Sequence, residues 1–241
     1  MNRQRAKIAI IDFHGTLCER DCFAAFEDFK EFDPYLIASD YDRFPGQVDA
    51  VVVPGGFSYG DYIRPGAMAR TAAITRALVE EAEKGTPILG ICNGFQILCE
   101  IRLLPGILLK NQDGRFICRD VALKVVARRN AFLKHVEQDV LRVPIAHKYG
   151  QYYASPETLE SLKANDQIAL QYCDADVRTT DEANPNGSAE HIAGVTNKTG
   201  NVLGMMPHPE RRTLAWSLGQ DGRRMLESLV AFREFARASG L

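Results

Sequence analysis

The chain has 241 residues, 46% of them hydrophobic, enough to bury a substantial core, which excludes a largely disordered protein. Its 29 Lys and Arg against 31 Asp and Glu give a net charge of −2 with the signs interspersed, so there is no footprint for nucleic acid or an anionic membrane surface. Six cysteines lack the density or paired spacing of a disulfide scaffold or a zinc site, no apolar run approaches a bilayer span, and residues 1–7 hold no apolar leader; a soluble cytoplasmic protein with reduced thiols is expected.

Residues 7–13 (KIAIIDF) read as a strand buried on both faces of a parallel sheet. A helix-like segment covers 21–30, and residues 49–53 (DAVVV) form a second buried strand that stops at Pro54-Gly55-Gly56. Apolar positions between 66 and 84 approximate helical spacing, with Gly85 placed to end the helix. Residues 87–91 form a strand that runs through Cys92-Asn93-Gly94 into a helix reaching Arg102.

Beyond Pro105-Gly106 the chain is β-rich at 116–127 and 140–146, helix-like after Ser155, and strand-like at 167–172, 192–197 and 202–206; the last helix falls within 220–238. The polar stretch 174–188 reads as a mobile surface loop. With no repeat or long linker, the expectation is one α/β domain over 1–241, a mostly parallel central sheet flanked by helices with a smaller β-rich insertion.

In Gly90-Ile91-Cys92-Asn93-Gly94 the glycines stand two before and two after the cysteine, the spacing of a nucleophile elbow with sulfur in place of oxygen. A sharp strand-to-helix turn needs small neighbours, and it presents the side chain at a helix N-terminus, where the positive dipole end favours a thiolate. Most free cysteines are merely small buried hydrophobes, so a base is required beside this one. Pro207-His208-Pro209-Glu210 follows the last strand; Pro209 biases His208 to extended backbone, where residues two apart point to one side, so imidazole and carboxylate can pair. Cys92, His208 and Glu210 then suit nucleophile, base and orienter.

His135 and His191 read as surface or turn residues, whereas His14 and His147 follow strands and could face the same sheet edge. No His, Cys and Asp cluster has zinc spacing. Attack on a carboxamide needs N–H donors for the oxyanion, and two turns offer them: the amide of Asn93 and the glycine turn Gly55-Gly56. In a parallel sheet both turns lie at the carboxyl edge. The same residue set would also serve a stand-alone cysteine hydrolase or peptidase, and the fold could persist in a non-catalytic regulatory subunit.

The segments Pro54-Gly55-Gly56-Phe57-Ser58-Tyr59-Gly60-Asp61-Tyr62, Gly90-Ile91-Cys92-Asn93-Gly94-Phe95-Gln96 and Met206-Pro207-His208-Pro209-Glu210-Arg211 resemble class I glutamine amidotransferases, which have a flavodoxin-like sheet. The first two resemble in particular the glutaminase subunits of phosphoribosylformylglycinamidine synthases, over 7–212. The resemblance implies a Cys92, His208 and Glu210 triad working through a thioester, oxyanion donors at Gly55, Gly56 and Asn93, and a glutamine contact at Gln96. It further implies ammonia delivery to a synthetase subunit that makes formylglycinamidine ribonucleotide in purine biosynthesis, with ATP and Mg on that partner and none on this chain, and a small accessory subunit. This chain has no Gly-x-x-x-x-Gly-Lys loop. It departs from the family at Phe13-His14-Gly15-Thr16-Leu17-Cys18-Glu19, where the family reads Phe-Pro-Gly-Ser-Asn-Cys-Asp, and at Ala146-His147-Lys148-Tyr149-Gly150, where it reads Ala-His-Gly-Glu-Gly.

Overall fold

The computed structural model describes residues 5–215 and 217–239, so the expected domain over 1–241 runs past the described residues at both ends. The chain forms β1 (Ala6–Asp12), α1 (Glu19–Glu27), β2 (Phe32–Ala38), β3 (Ala50–Val53), short 3-10 turns at Ser58–Asp61 and Met68–Thr71, α2 (Ile74–Glu83), β4 (Ile88–Ile91) and α3 (Asn93–Glu100). There follow β5 (Ile107–Leu109), β6 (Ile117–Val125), β7 (Val140–His147), β8 (Gln151–Tyr153), α4 (Pro156–Ala164), β9 (Ile168–Cys173), β10 (Ile192–Thr196), β11 (Val202–Met205) and α5 (Asp221–Ser239). Nine strands make one sheet in the order β2-β1-β3-β4-β11-β10-β9-β6-β7, and β5 and β8 pair separately. None of the described helices is long and apolar enough to cross a membrane.

The α/β expectation is met by a large mixed sheet with flanking helices. Pairing is parallel from β2 through β11 and antiparallel from there to β7. The β-rich pieces therefore prolong the central sheet, and only the β5-β8 ribbon stands apart. The central strands β3, β4 and β11 are buried at every residue, as the apolar runs require when both faces are covered.

Three local features differ from the sequence reading. Residues 32–38 form β2, whose Pro34 is tolerated because β2 is an edge strand and can do without one ladder donor. The helical spacing over 66–84 resolves into two pieces, because Ala72 is extended and Thr75 Oγ1 donates to Ala69 O across the break. The 174–188 stretch is not simply a surface loop: Asn186 and Ser188 are buried, Asn186 Nδ2 donates to Gly150 O at 2.8 Å, and Ser188 Oγ accepts from Tyr152 N at 3.0 Å.

Strand directions fix where a site can form. β1, β3, β4 and β11 run in parallel and end on one edge, and alternating antiparallel pairing brings the carboxyl end of β7 to that same edge. β7 lies five strand steps from β4, which in a flat sheet would be about 24 Å. Yet Cys92 Sγ, just after β4, lies 3.8 Å from Ala146 O of β7, and His208 N donates to Pro144 O at 2.8 Å. The antiparallel half thus curls back over the edge, and the far strand becomes a wall of the site.

Candidate active site

Cys92 sits between β4 and α3 with φ 52° and ψ −105°, a backbone conformation that side chains other than glycine rarely adopt. Such strain costs on the order of 1–3 kcal/mol and persists only where its surroundings enforce it. Here Cys92 N donates to Met205 O at 2.8 Å, and Cys92 O accepts from Gln96 N in the first turn of α3. The flanking glycines permit the turn: a Cβ on Gly94 would stand 1.8 Å from Val53 O, and one on Gly90 would stand 2.4 Å from Leu98 Cδ1. The elbow spacing read in the sequence is therefore a packing requirement between β3, β4 and α3.

His208 and Glu210 follow β11, and the expected pair is formed: Nδ1 and Oε1 are 2.7 Å apart, and both side chains are 2% exposed. Burial alone disfavours the imidazolium, but the Glu210 carboxylate and the Cys92 sulfur outweigh it and hold His208 well above the ordinary imidazole range. His208 Nε2 and Glu210 Oε2 are buried without hydrogen-bond partners. Cys92, beside them, is 5% exposed.

The Gly55-Gly56 turn at the end of β3 is clamped from behind. Leu17 N and Cys18 N both donate to Gly55 O at 3.1 Å, and Phe57 N donates to Gly15 O at 2.9 Å. Because a trans peptide sets N–H opposite C=O, the Gly56 amide points away from the 17–18 loop. Among the described residues no hydrogen bond engages the Gly55 or Gly56 amide, and the amide of Asn93, as the first residue of α3, has no helical carbonyl to meet. A Cβ on Gly55 would lie 2.8 Å from His208 Cε1 and 3.5 Å from Cys92 Cβ, which places this turn directly against both side chains.

Asn93 and Gln96 tie the walls together. Asn93 Oδ1 accepts from Ser58 N at 3.0 Å, Asn93 Nδ2 donates to Gln96 Oε1 at 2.8 Å, and Gln96 Nε2 donates to Tyr149 O at 2.5 Å. Both ends of the Gln96 amide are thus engaged within the protein. Asp61 Oδ1 lies 3.5 Å from Asn93 Nδ2, and burial raises its carboxyl to about 6.

Among the other histidines, His147 reaches the edge but is buried, with Nδ1 3.1 Å from Asn111 Oδ1; burial and then the His208 charge push it down to about 4. His14 stays exposed and packs edge-on against Tyr59, while His135 and His191 stand apart from the cluster in surface and turn positions. Sequence reasoning missed Cys18, whose sulfur lies in one buried cluster with donor atoms of His208 and Glu210, all within 4.8 Å of one another. The 190-residue separation hides that convergence from any spacing rule. The available signal was a cysteine in the loop after β1, at the same sheet edge. Cys22 and Cys99, by contrast, are thiols that burial pushes well up.

Residues 5–234 match the CobB/CobQ-like glutamine amidotransferase domain. The chain is 47% identical to phosphoribosylformylglycinamidine synthase subunit PurQ of Chlorobaculum tepidum, over 93% of this chain and 96% of that one. It is 45% identical to the PurQ subunit of Salinibacter ruber over 93% and 96%. Among solved structures it superposes on a chain of PurLQS from Thermotoga maritima with a TM-score of 0.82 and 37% identity, covering 95% of this chain and 99% of that one. With an intact cysteine elbow, a buried His–Glu pair and these relatives, the chain belongs to the CobB/CobQ-like glutamine amidotransferases, among the PurQ subunits of phosphoribosylformylglycinamidine synthase.

Proposed function

We propose that this chain is the glutaminase subunit of a phosphoribosylformylglycinamidine synthase, and that Cys92, His208 and Glu210 are its catalytic triad. The observation that carries the reading is the buried 2.7 Å His208–Glu210 pair beside a cysteine held at φ 52°. His208 takes the Cys92 thiol proton, and the sulfur attacks the side-chain carboxamide carbon of glutamine. The amides of Gly55, Gly56 and Asn93 receive the developing oxyanion, and Gln96, with both ends of its amide held by Asn93 and Tyr149, contributes to the substrate site by bracing the wall beside α3. The His208 imidazolium then returns the proton to the leaving nitrogen, giving ammonia and a Cys92 thioester. Water, deprotonated by His208, hydrolyses the thioester to glutamate and restores the thiol.

Ammonia passes to a synthetase partner that converts formylglycinamide ribonucleotide to the amidine in the cytoplasm, with a small accessory subunit in the assembly. ATP and Mg belong to the synthetase, and this chain holds no cofactor. In the complex with the synthetase, a glutamine-analogue electrophile is expected to label Cys92, and Cys92→Ala to abolish glutamine-dependent amidine formation while ammonia-dependent formation persists. Labelling mainly at another cysteine, or an active Cys92→Ala complex, would overturn the assignment. Copurification from native cells tests the two partners.

A further inference from the structure

We propose that Cys18, His208 and Glu210 form a binding site for a thiophilic divalent cation, with Zn2+ as the type ligand, and that its occupation switches the site off. The inhibitory consequence rests on the glutaminase reading; the binding does not.

One sulfur, one imidazole and one carboxylate are a donor set suited to zinc, and the ligand atoms of these three buried residues already lie within 4.8 Å of one another. Tetrahedral zinc, with bonds of about 2.0–2.3 Å, holds such donors roughly 3.3–3.6 Å apart, so the ion would replace the proton between His208 Nδ1 and Glu210 Oε1, which open slightly from 2.7 Å, while Cys18 Sγ closes in from within 4.8 Å and a fourth position stays open. A second observation points to a ligand: Glu210 Oε2, on a side chain 2% exposed, is buried with no hydrogen-bond partner.

The protein also marks this spot with a cation of its own. Arg211 Nη2 lies 3.4 Å from Cys18 Sγ, and Arg211 Nε lies 3.8 Å from Glu210 Oε1. Its side chain is 36% exposed and has Asp21 as a further partner at 3.7 Å, so the guanidinium can swing outward and yield its place to a metal ion. Coordination requires Cys18 as thiolate and the bound nitrogen of His208 free of its proton; binding therefore releases protons to solvent and weakens as pH falls. A cation on His208 and Glu210 also removes the base that Cys92 needs.

The test uses the full chain carrying Cys118→Ser, which removes the exposed thiol, and Co2+ as the spectroscopic probe. An equimolar thiolate-to-cobalt charge-transfer band, displaced by Zn2+, is expected, and Cys18→Ser should weaken cobalt binding at least tenfold. Arg211→Gln, which removes the resident cation without touching a donor, should tighten it. In the complex, Zn2+ should inhibit glutaminase turnover reversibly on chelation, with the inhibitory concentration raised at least tenfold in Cys18→Ser. No band at equimolar Co2+, an unchanged band and unchanged inhibition in Cys18→Ser, or weaker binding in Arg211→Gln would overturn the proposal. An inactive complex would sink the glutaminase reading while the cobalt spectrum still decides the site.

Discussion

Glu210→Gln separates charge from shape at the base. Glutamine keeps an oxygen acceptor for His208 Nδ1 and nearly the same volume, but the carboxylate charge is gone. The 2.7 Å contact puts the two charge centres roughly 4 Å apart, where an effective dielectric of about 20 makes the pair worth about 4 kcal/mol. At about 1.4 kcal/mol per decade, kcat/KM for glutamine is expected to fall about a thousandfold. Burial, now less opposed, should pull His208 down. Two assays check this: glutamate release by the complex, and iodoacetamide labelling of Cys92 followed by mass spectrometry across pH. The variant should need a higher pH than wild type to label to the same extent, because the imidazolium beside the sulfur is weakened. Because the folded His208 is raised, the charge pair's contribution to stability is fully present below the unfolded value of about 6.5 and is lost as pH rises through the folded one. The stability gap between wild type and variant should therefore be widest near pH 6 and narrow toward alkaline pH in urea titrations. Activity within tenfold of wild type, or superimposable labelling profiles, would refute the role given to Glu210.

Gly55→Ala places a methyl 2.8 Å from His208 Cε1 and 3.2 Å from Cys18 Sγ; turnover should drop about a hundredfold through misplacement of the base, with the melting temperature little changed. Gly94→Ala meets Val53 O at 1.8 Å, a clash with backbone that cannot yield, and should cost about 2 kcal/mol or more by denaturant titration. Asp61, raised to about 6 by burial, binds its proton more tightly folded than unfolded, so its contribution is fully present below about 3.8 and is lost as pH rises through about 6. Asp61→Asn should flatten that slope and leave the protein more stable at pH 7; an unchanged pH dependence of unfolding would exclude the buried carboxyl as its source.

The chemistry was legible where one short segment holds both the reactive residue and the turn that presents it. Gly90 to Gly94 reads as an elbow because packing admits no side chain at either glycine; the His208–Glu210 pair was legible too, although Glu210 reaches the imidazole through the 3-10 turn Pro209–Arg212 and not along the extended chain that the sequence suggests. β2 was illegible because Pro34 and Asp33 suppress the strand signal, and only its edge position tolerates them.

Periodicity and glycine placement thus determined the buried strands, the cysteine turn and the His–Glu pair, all of which depend on neighbours within a few residues. Tertiary structure alone decided that the β-rich half prolongs the same sheet and curls until Ala146 O meets Cys92 Sγ. It also decided that Cys18 joins His208 and Glu210 in one buried cluster. The physical reason is that strand pairing and sheet curvature bring together residues tens to nearly two hundred positions apart, and no local pattern records which distant groups share an edge.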